Sequence, residues 1–286
     1  MQALQNKIQT IELCSPLYPT EWKTLTAPPQ TVYAVGDISL LSTRKFTVVG
    51  SRTTPTAALK TGGELVKDLA KAFTIVTGTA DGGDSAAIES TLSSGGKVIC
   101  VLAGGFSAIP QNNLPLLERV MQTGLIISPH PYETPARSFS YEYRNQLLAL
   151  LGEGTLVLGA AEKSGALITA RYAQNGNKKV FALPYSPHVH AGAGCNALIK
   201  KGAYLTETAQ DVFAQFDMEI STKKQTVALT ADEEKMLAAL QTLSTAHVSV
   251  LSAEANIPIF KARAVLSALE VKGLCVAVGG NQYAPV

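Results

Sequence analysis

Charge is scarce in this chain. Asp, Glu, Lys and Arg make up 16% of its 286 residues, against about 25% in an ordinary globular protein. That excludes a disordered polyelectrolyte and a charged coiled coil. Neither sign dominates, with 24 basic side chains against 22 acidic ones and a net charge of +2. Wholesale wrapping of nucleic acid by a basic surface is therefore not expected, whereas a local basic patch is allowed. Long apolar runs are also missing. The longest, Val98-Ile99-Cys100-Val101-Leu102-Ala103, falls far short of the roughly 18 residues of a membrane span, so no membrane attachment is expected. The first residues have neither a basic start nor an apolar stretch, so no secretory leader is read there. The four cysteines, Cys14, Cys100, Cys195 and Cys275, are scattered and form no CxxC. They read as reduced thiols of a cytoplasmic protein, not as a zinc site or a disulfide framework.

Familiar catalytic motifs are absent too. A GxGxxG would have to follow the first strand of a dinucleotide-binding dehydrogenase, but Val49-Gly50-Ser51-Arg52-Thr53-Thr54 offers one glycine. There is no GxxxxGK[ST] and no GxSxG. His188 and His190 have neither CxxC nor HExxH beside them and read as loop residues, not metal ligands. No metal, no cofactor and no catalytic residue is expected.

Hydrophobic residues make up 46%, enough for a sizeable core. From Lys45 onward, short β-rich runs alternate with helical stretches. The runs are 46–49, 73–77, 98–103, 125–128, 156–159, 180–183 and 203–206. Helices are expected near 56–72, 84–94, 113–122, 143–151, 164–176 and 194–201. Most of the runs are unbroken apolar segments, as strands buried on both faces of a parallel sheet require. The order predicts an α/β fold with an extended Rossmann-like, doubly wound, mostly parallel sheet over 45–216. Residues 1–44 read as an N-terminal extension packing on it, and the polar stretch 217–226 as a linker. Residues 227–286 resemble a small winged-helix-like domain: a capping box at Thr230–Glu233, three helices and a terminal hairpin. That last segment holds four basic and five acidic side chains, so a protein-contact role is favoured over a grip on duplex DNA.

Ligands of such sheets bind beyond the carboxyl ends of the strands, and the glycines cluster there. Gly50-Ser51-Arg52 follows the first strand, Gly78 to Asp84 the second, Gly104-Gly105 the third and Ser164-Gly165 the fifth. Helix starts and backbone amides on one rim suit an anion. Arg52, Arg144, Asn145, Lys163, Ser164, Gly165 and Thr169 add guanidinium, ammonium, amide and hydroxyl groups. Tyr141 and Tyr143 could stack unpaired bases or be half-buried packing residues. Arg144 could hold a phosphate or pair with a sheet-end carboxylate. Asp84, at a helix start, reads as an N-cap.

The ordered pieces Tyr18-Pro19, Pro28-Pro29, Tyr33-Ala34-Val35-Gly36, Val48-Val49-Gly50-Ser51-Arg52, Thr77-Gly78-Thr79-Ala80-Asp81-Gly82-Gly83-Asp84, Arg144-Asn145, Ser164 to Ala170, Val180 to Pro184 and Asn196 to Ala203 resemble the DNA-processing protein A (DprA/Smf) family over about 1–215. The resemblance implies a Rossmann-like domain that binds single-stranded DNA, dimerises, protects incoming strands in natural transformation and loads a RecA-type recombinase. It carries over Gly50, Ser51, Arg52, Gly78, Tyr141, Arg144, Asn145, Lys163, Ser164, Gly165, Thr169 and Lys200 as the DNA path. This chain departs from the family pattern at several points. Asp81 stands at a usually basic position, Gly83 at an apolar one and Ile88 at a histidine. The usual F-P-x-R-N-R becomes Tyr141-Glu142-Tyr143-Arg144-Asn145-Gln146. Gly159 replaces a frequent glutamate, and Tyr185 a glycine. Each lost phosphate contact lowers the salt dependence of binding by about one unit. The expectation is a non-enzymatic single-stranded-DNA-binding protein. Its rivals are a nucleotide-binding Rossmann-like sensor or hydrolase and a purely structural scaffold.

Overall fold

A computed structural model describes residues 5–218 and 229–285. The chain divides into two compact units, Met1–Thr222 and Lys223–Val286. From residue 219 on, the stretch read as a linker lies outside the described residues.

The larger unit is a nine-stranded mixed sheet with helices on both faces. Its elements in chain order are β1 (Gln9–Glu12), β2 (Thr31–Gly36), β3 (Lys45–Val49), α1 (Thr56–Leu69), β4 (Thr74–Thr77), α2 (Gly83–Ser93), β5 (Val98–Val101), α3 (Leu114–Thr123), β6 (Leu125–Ser128), α4 (Ser138–Leu151), β7 (Gly154–Val157), α5 (Gly165–Asn175), β8 (Lys179–Ala182), α6 (Ala193–Lys200), β9 (Tyr204–Leu205) and α7 (Ala209–Ala214). The strand order is β1-β2-β6-β5-β4-β3-β7-β8-β9. β3 to β9 run parallel, while β1 and β2 add an antiparallel edge against β6.

β3 to β7 are buried at every position, as strands covered on both faces are; the polar side chains among them, Lys45, Thr47, Thr74, Thr77, Ser128 and Thr155, are buried too. On one face Leu65, Val66 and Leu69 of α1, Ile88 of α2, Val120 of α3 and Phe213 of α7 close the core. On the other, Leu147, Leu148 and Leu151 of α4 join Ala170 and Ala173 of α5. The N-terminal segment belongs to this second face. Trp22 is fully buried, and its indole N–H donates to Leu147 O at 3.0 Å. Residues 9–12 and 31–36 therefore build the sheet itself as well as packing on it.

Two helices differ from expectation. α4 begins at Ser138, five residues early, because the Ser140 hydroxyl accepts the Arg137 N–H and closes the first turn. α7 was not anticipated; Thr208 and Asp211 form its capping box.

The smaller unit holds α8 (Ala231–Leu243), β10 (Ala246–His247), α9 (Val248–Glu254), α10 (Ile259–Val271), β11 (Cys275–Gly279) and β12 (Gln282–Pro285). Its antiparallel sheet has the order β10-β12-β11, and Met236, Leu240, Leu251, Leu266 and Leu269 fill its own core. Thr230 and Glu233 close the capping box ahead of α8. Among the described residues no helix is long and apolar enough to cross a membrane.

Candidate nucleic-acid interface

The strand order reverses between β3 and β7. From β3 the chain winds outward through β4, β5 and β6, then returns to the other side with β7 and β8. Loops leaving two such strands diverge and open a crevice at the switch point. A cavity of about 360 Å³ lies there, lined by Gly50, Ser51, Arg52, Tyr141, Arg144, Asn145, Ser164, Gly165 and Thr169. Nine of the twelve residues expected on the DNA path thus converge on one site.

The two arginines occupy different environments. Arg52 is exposed, and among the described residues its side chain makes no hydrogen bond or salt bridge. Arg144 is 6% exposed. Its Nε donates to Asn145 Oδ1 at 3.1 Å and its Nη1 to Val101 O at 3.3 Å. Asp84 Oδ2 lies 4.0 Å from Arg144 Nη1, so the sheet-end carboxylate weighed as a partner for Arg144 is Asp84. This corrects the reading of Asp84 as an N-cap. Gly82 occupies that position, with φ +83°, and Asp84 sits inside the first turn of α2. Its Oδ2 accepts Ala80 N–H at 3.2 Å. Burial pushes its carboxyl above the usual range, opposed by Arg144, the amides of Ala80 and Gly50, and Arg52. Burial also lowers Arg144, with Asp84 opposing; a guanidinium keeps its charge regardless.

Two amides expected to face a ligand are spent inside the protein. Ser51 N–H donates to Gly159 O at 2.8 Å and Gly105 N–H to Thr134 O at 2.7 Å. The glycines serve close approach instead. A Cβ on Gly83 would strike the Gly50 backbone, joining the α2 start to the β3 loop without a gap. Gly104 and Gly105 let the 131–136 backbone lie directly on the end of β5. At the start of α5, Ser164 Oγ accepts Ala166 N–H at 3.3 Å, and Gly165 N–H has no protein acceptor among the described residues.

Three expected residues lie elsewhere. Gly78 sits behind the cavity, where a Cβ would collide with Arg144 and Asp84. Lys163 lines a separate depression with Leu167, Arg171 and Lys201. Lys200 is exposed at the end of α6 and lines neither cavity at the switch point.

Tyr141 and Arg144 stand one turn apart on α4, with the guanidinium carbon 5.8 Å from the ring centroid. Both, with Arg52 and Ala80, also line a second cavity of about 250 Å³ at the ends of β4 and β5. It adds Asp81, Ile109, Pro110, Asn112 and Asn113, none of which was singled out as a ligand. Asn113 Nδ2 ties the rim by donating to Thr79 O at 2.6 Å. Tyr143 turns away, donating to Ala27 O at 3.1 Å, and so reads as a packing residue. Among the described residues no cluster of His, Cys, Asp and Glu could hold a metal.

The family model of DNA recombination-mediator protein A matches residues 9–217. The chain belongs to the DprA/Smf family. It is 35% identical to the DNA processing protein DprA of Bacillus subtilis over 211 residues, covering 73% of this chain and 71% of that one. With the Smf protein of Escherichia coli it shares 30% over 282 residues, covering 93% and 75%. The crystal structure of Streptococcus pneumoniae DprA superposes with a TM-score of 0.71 at 30% identity, covering 76% of this chain and 77% of that one. A structure of Helicobacter pylori DNA processing protein A, described for its single-stranded DNA binding mode, gives 0.66 at 28% identity and covers 74% of this chain and 98% of that one.

Two of the departures from the DprA/Smf pattern lie side by side. A Cβ on Gly159, where a glutamate is frequent, would meet Thr54 and the Tyr185 hydroxyl. Tyr185, where glycine is usual, donates that hydroxyl to Leu158 O at 2.5 Å. Its ring in turn leaves no room for a Cβ on Gly192. An aromatic side chain thus fills the space next to the β7 end of the crevice.

Proposed function

We propose that this DprA/Smf protein binds single-stranded DNA with little sequence preference, protects the strand and passes it to a RecA-type recombinase in transformation or recombination. It acts in the cytoplasm, as a homodimer and without catalysis. The observation that carries this reading is the exposed, unpaired guanidinium of Arg52 at the switch point. Beside it lie the free first amide of α5 and the half-exposed ring of Tyr141. Arg52 and Gly165 N–H take a phosphate, Ser51 and Ser164 add hydroxyls, and Tyr141 stacks a neighbouring base. Arg144 supplies positive charge from the floor, where Asp84 offsets part of it. The strand-binding mode of the Helicobacter pylori relative supports the ligand class.

Self-association is supported by the short edge strand β9, which exposes Tyr204 and Leu205. The smaller unit fits a winged-helix-like module that contacts protein. Lys261 is paired with Asp232 and Lys272 with Glu233, while Phe260 at the start of α10 is 81% exposed.

The test is fluorescence anisotropy of a labelled oligothymidine across a salt series. Arg52→Ala should weaken binding and lower the salt slope by about 0.7 per lost phosphate contact. A variant with the affinity and slope of the parent would remove Arg52 from the site. The pairing of Arg144 with Asp84 favours a second reading, a mononucleotide site needing a single free guanidinium. Thermal shift by nucleotides, with no shift by an oligonucleotide, would select it.

A further inference from the structure

Building on the strand-binding reading, we propose that the second cavity reads one base of an otherwise sequence-tolerant grip and that Asp81 makes that one position selective for guanine. The cavity measures about 250 Å³, below the roughly 300–1,000 Å³ of pockets for drug-sized ligands, and suits a single planar base. Ile109 and Pro110 give it apolar lining. Tyr141 and Arg52 are shared with the crevice beside it, so a phosphate held at Arg52 leaves the attached base at the mouth of this pocket.

The polar lining decides which base. Asp81 is exposed, and among the described residues its carboxylate makes no hydrogen bond or salt bridge. An ionised carboxylate only accepts hydrogen bonds. On their pairing edges, thymine sets one N–H between two carbonyls, and adenine and cytosine each set an amino group beside a ring acceptor. In all three a lone pair faces the carboxylate. Guanine alone presents two adjacent donors, N1–H and the 2-amino group, which match the two carboxylate oxygens. Its O6 then needs a donor, and Asn112 and Arg52 line the same cavity. Asp81 stands where the family pattern is basic, so this preference would belong to this chain and not to the family pattern.

The experiment compares equilibrium binding of the full-length protein to four strands of about 20 nucleotides. One is all thymidine; the others carry a single central guanine, hypoxanthine or adenine. Guanosine monophosphate serves as competitor. A bidentate contact predicts about tenfold tighter binding of the guanine strand than of the all-thymidine strand. Hypoxanthine, lacking the 2-amino group, should fall between them and adenine should gain nothing. Asp81→Ala and Asp81→Asn should erase the guanine preference. Equal affinity of the parent for the guanine and all-thymidine strands, or a preference that survives Asp81→Ala, would overturn the proposal. Salt-dependent binding of all strands with no base preference sinks this inference alone; no binding of any strand sinks the strand reading with it. Guanosine monophosphate binding more tightly than the guanine strand, and lost in Asp81→Ala, would keep guanine recognition and assign it to a free nucleotide.

Discussion

Truncating Arg144 separates a strut from a ligand. Its side chain is 7% exposed and that of Asp84 6%, with 4.0 Å between them. At an effective dielectric of about 20, that separation is worth about 4 kcal/mol of attraction. Removing the cation also strands a buried carboxylate, and such losses typically cost about 3–5 kcal/mol. Asp84 can limit the damage by taking up a proton. Burial already raises its carboxyl, and losing Arg144 raises it further. A carboxyl whose folded value lies above its unfolded value of about 3.9 binds protons more tightly in the native state. Its contribution to stability is complete below the unfolded value and is lost as pH rises through the folded one. Arg144→Ala should therefore be most damaging at neutral and alkaline pH and recover towards acid. A loss of about 3 kcal/mol, at about 2–4 °C per kcal/mol for a unit of this size, lowers the melting temperature by about 6–12 °C. Adding Asp84→Asn should restore part of it. Arg52→Ala, exposed and unpaired, should melt within about 2 °C of the parent yet bind a strand more weakly. Circular-dichroism melts across pH, read beside anisotropy, make the comparison. If Arg144→Ala melts like the parent at every pH while losing strand affinity tenfold or more, Arg144 is a direct ligand and the ion-pair argument fails.

Three further outcomes are expected. Tyr141→Ala should weaken strand binding by about 1–3 kcal/mol, the value of one stacked base, and unchanged anisotropy would make Tyr141 a bystander. Gly83→Ala forces a Cβ into the Gly50 backbone and should cost about 1–3 kcal/mol; a melt matching the parent would contradict the close approach. The bonds from Lys272 and Thr230 hold the Glu233 carboxyl below its usual range. The stabilisation this gives the smaller unit is present above the unfolded value of about 4.3 and fades as pH falls through the folded one. Hydrogen exchange in α8 should accelerate over that acid interval in the parent, whereas Glu233→Gln should already be fast at neutral pH.

The parallel strands were legible because burial on both faces favours runs of β-branched and apolar residues over a regular polar alternation, and β3 to β7 are built mostly of Val, Ile, Leu and Thr. The antiparallel strands β1 and β2 were not. In β1 only Ile11 is buried, and four residues with one inward side chain do not stand out from a loop. The start of α4 was hidden because Ser138, Phe139, Ser140 and Tyr141 are weak helix formers, three of them exposed, and the turn is closed by the bond from Arg137 N–H to the Ser140 hydroxyl. The rim residues were found through glycine and helix-start chemistry. Yet that chemistry could not tell which amides stay free, since Ser51 and Gly105 donate to residues far along the chain. Nor could it give the partner of Arg144, because Asp84 lies 60 residues away in sequence and meets it only after β4 and β5 pair. Asp81 was visible as a missing basic residue, but its place on a pocket wall depends on how the 104–113 loop folds back.

The scarcity of uncommitted cations at the switch point has a consequence for binding. Residues 1–224 hold 20 basic side chains against 17 acidic ones, and several of the cations are paired with carboxylates. Arg44 pairs with Glu153, Lys45 with Glu21, Arg119 with Glu89, Arg171 with Glu142 and Arg144 with Asp84. Of the switch-point residues, only Arg52 offers an uncommitted positive charge. A single-strand contact contributes about −0.7 to the salt slope per neutralised phosphate, so one protomer should show a slope nearer −1 than the steep values of proteins coated in lysine. Affinity must then come from what salt does not screen: stacking on Tyr141 and the hydrogen-bonding edge of a base in the second cavity. Base chemistry at that pocket should change affinity more than moderate changes in ionic strength do, the reverse of the order for a purely electrostatic strand binder. A measured slope of about −4 or steeper per protomer would locate the energy in cations outside the crevice and shift the binding face away from the switch point.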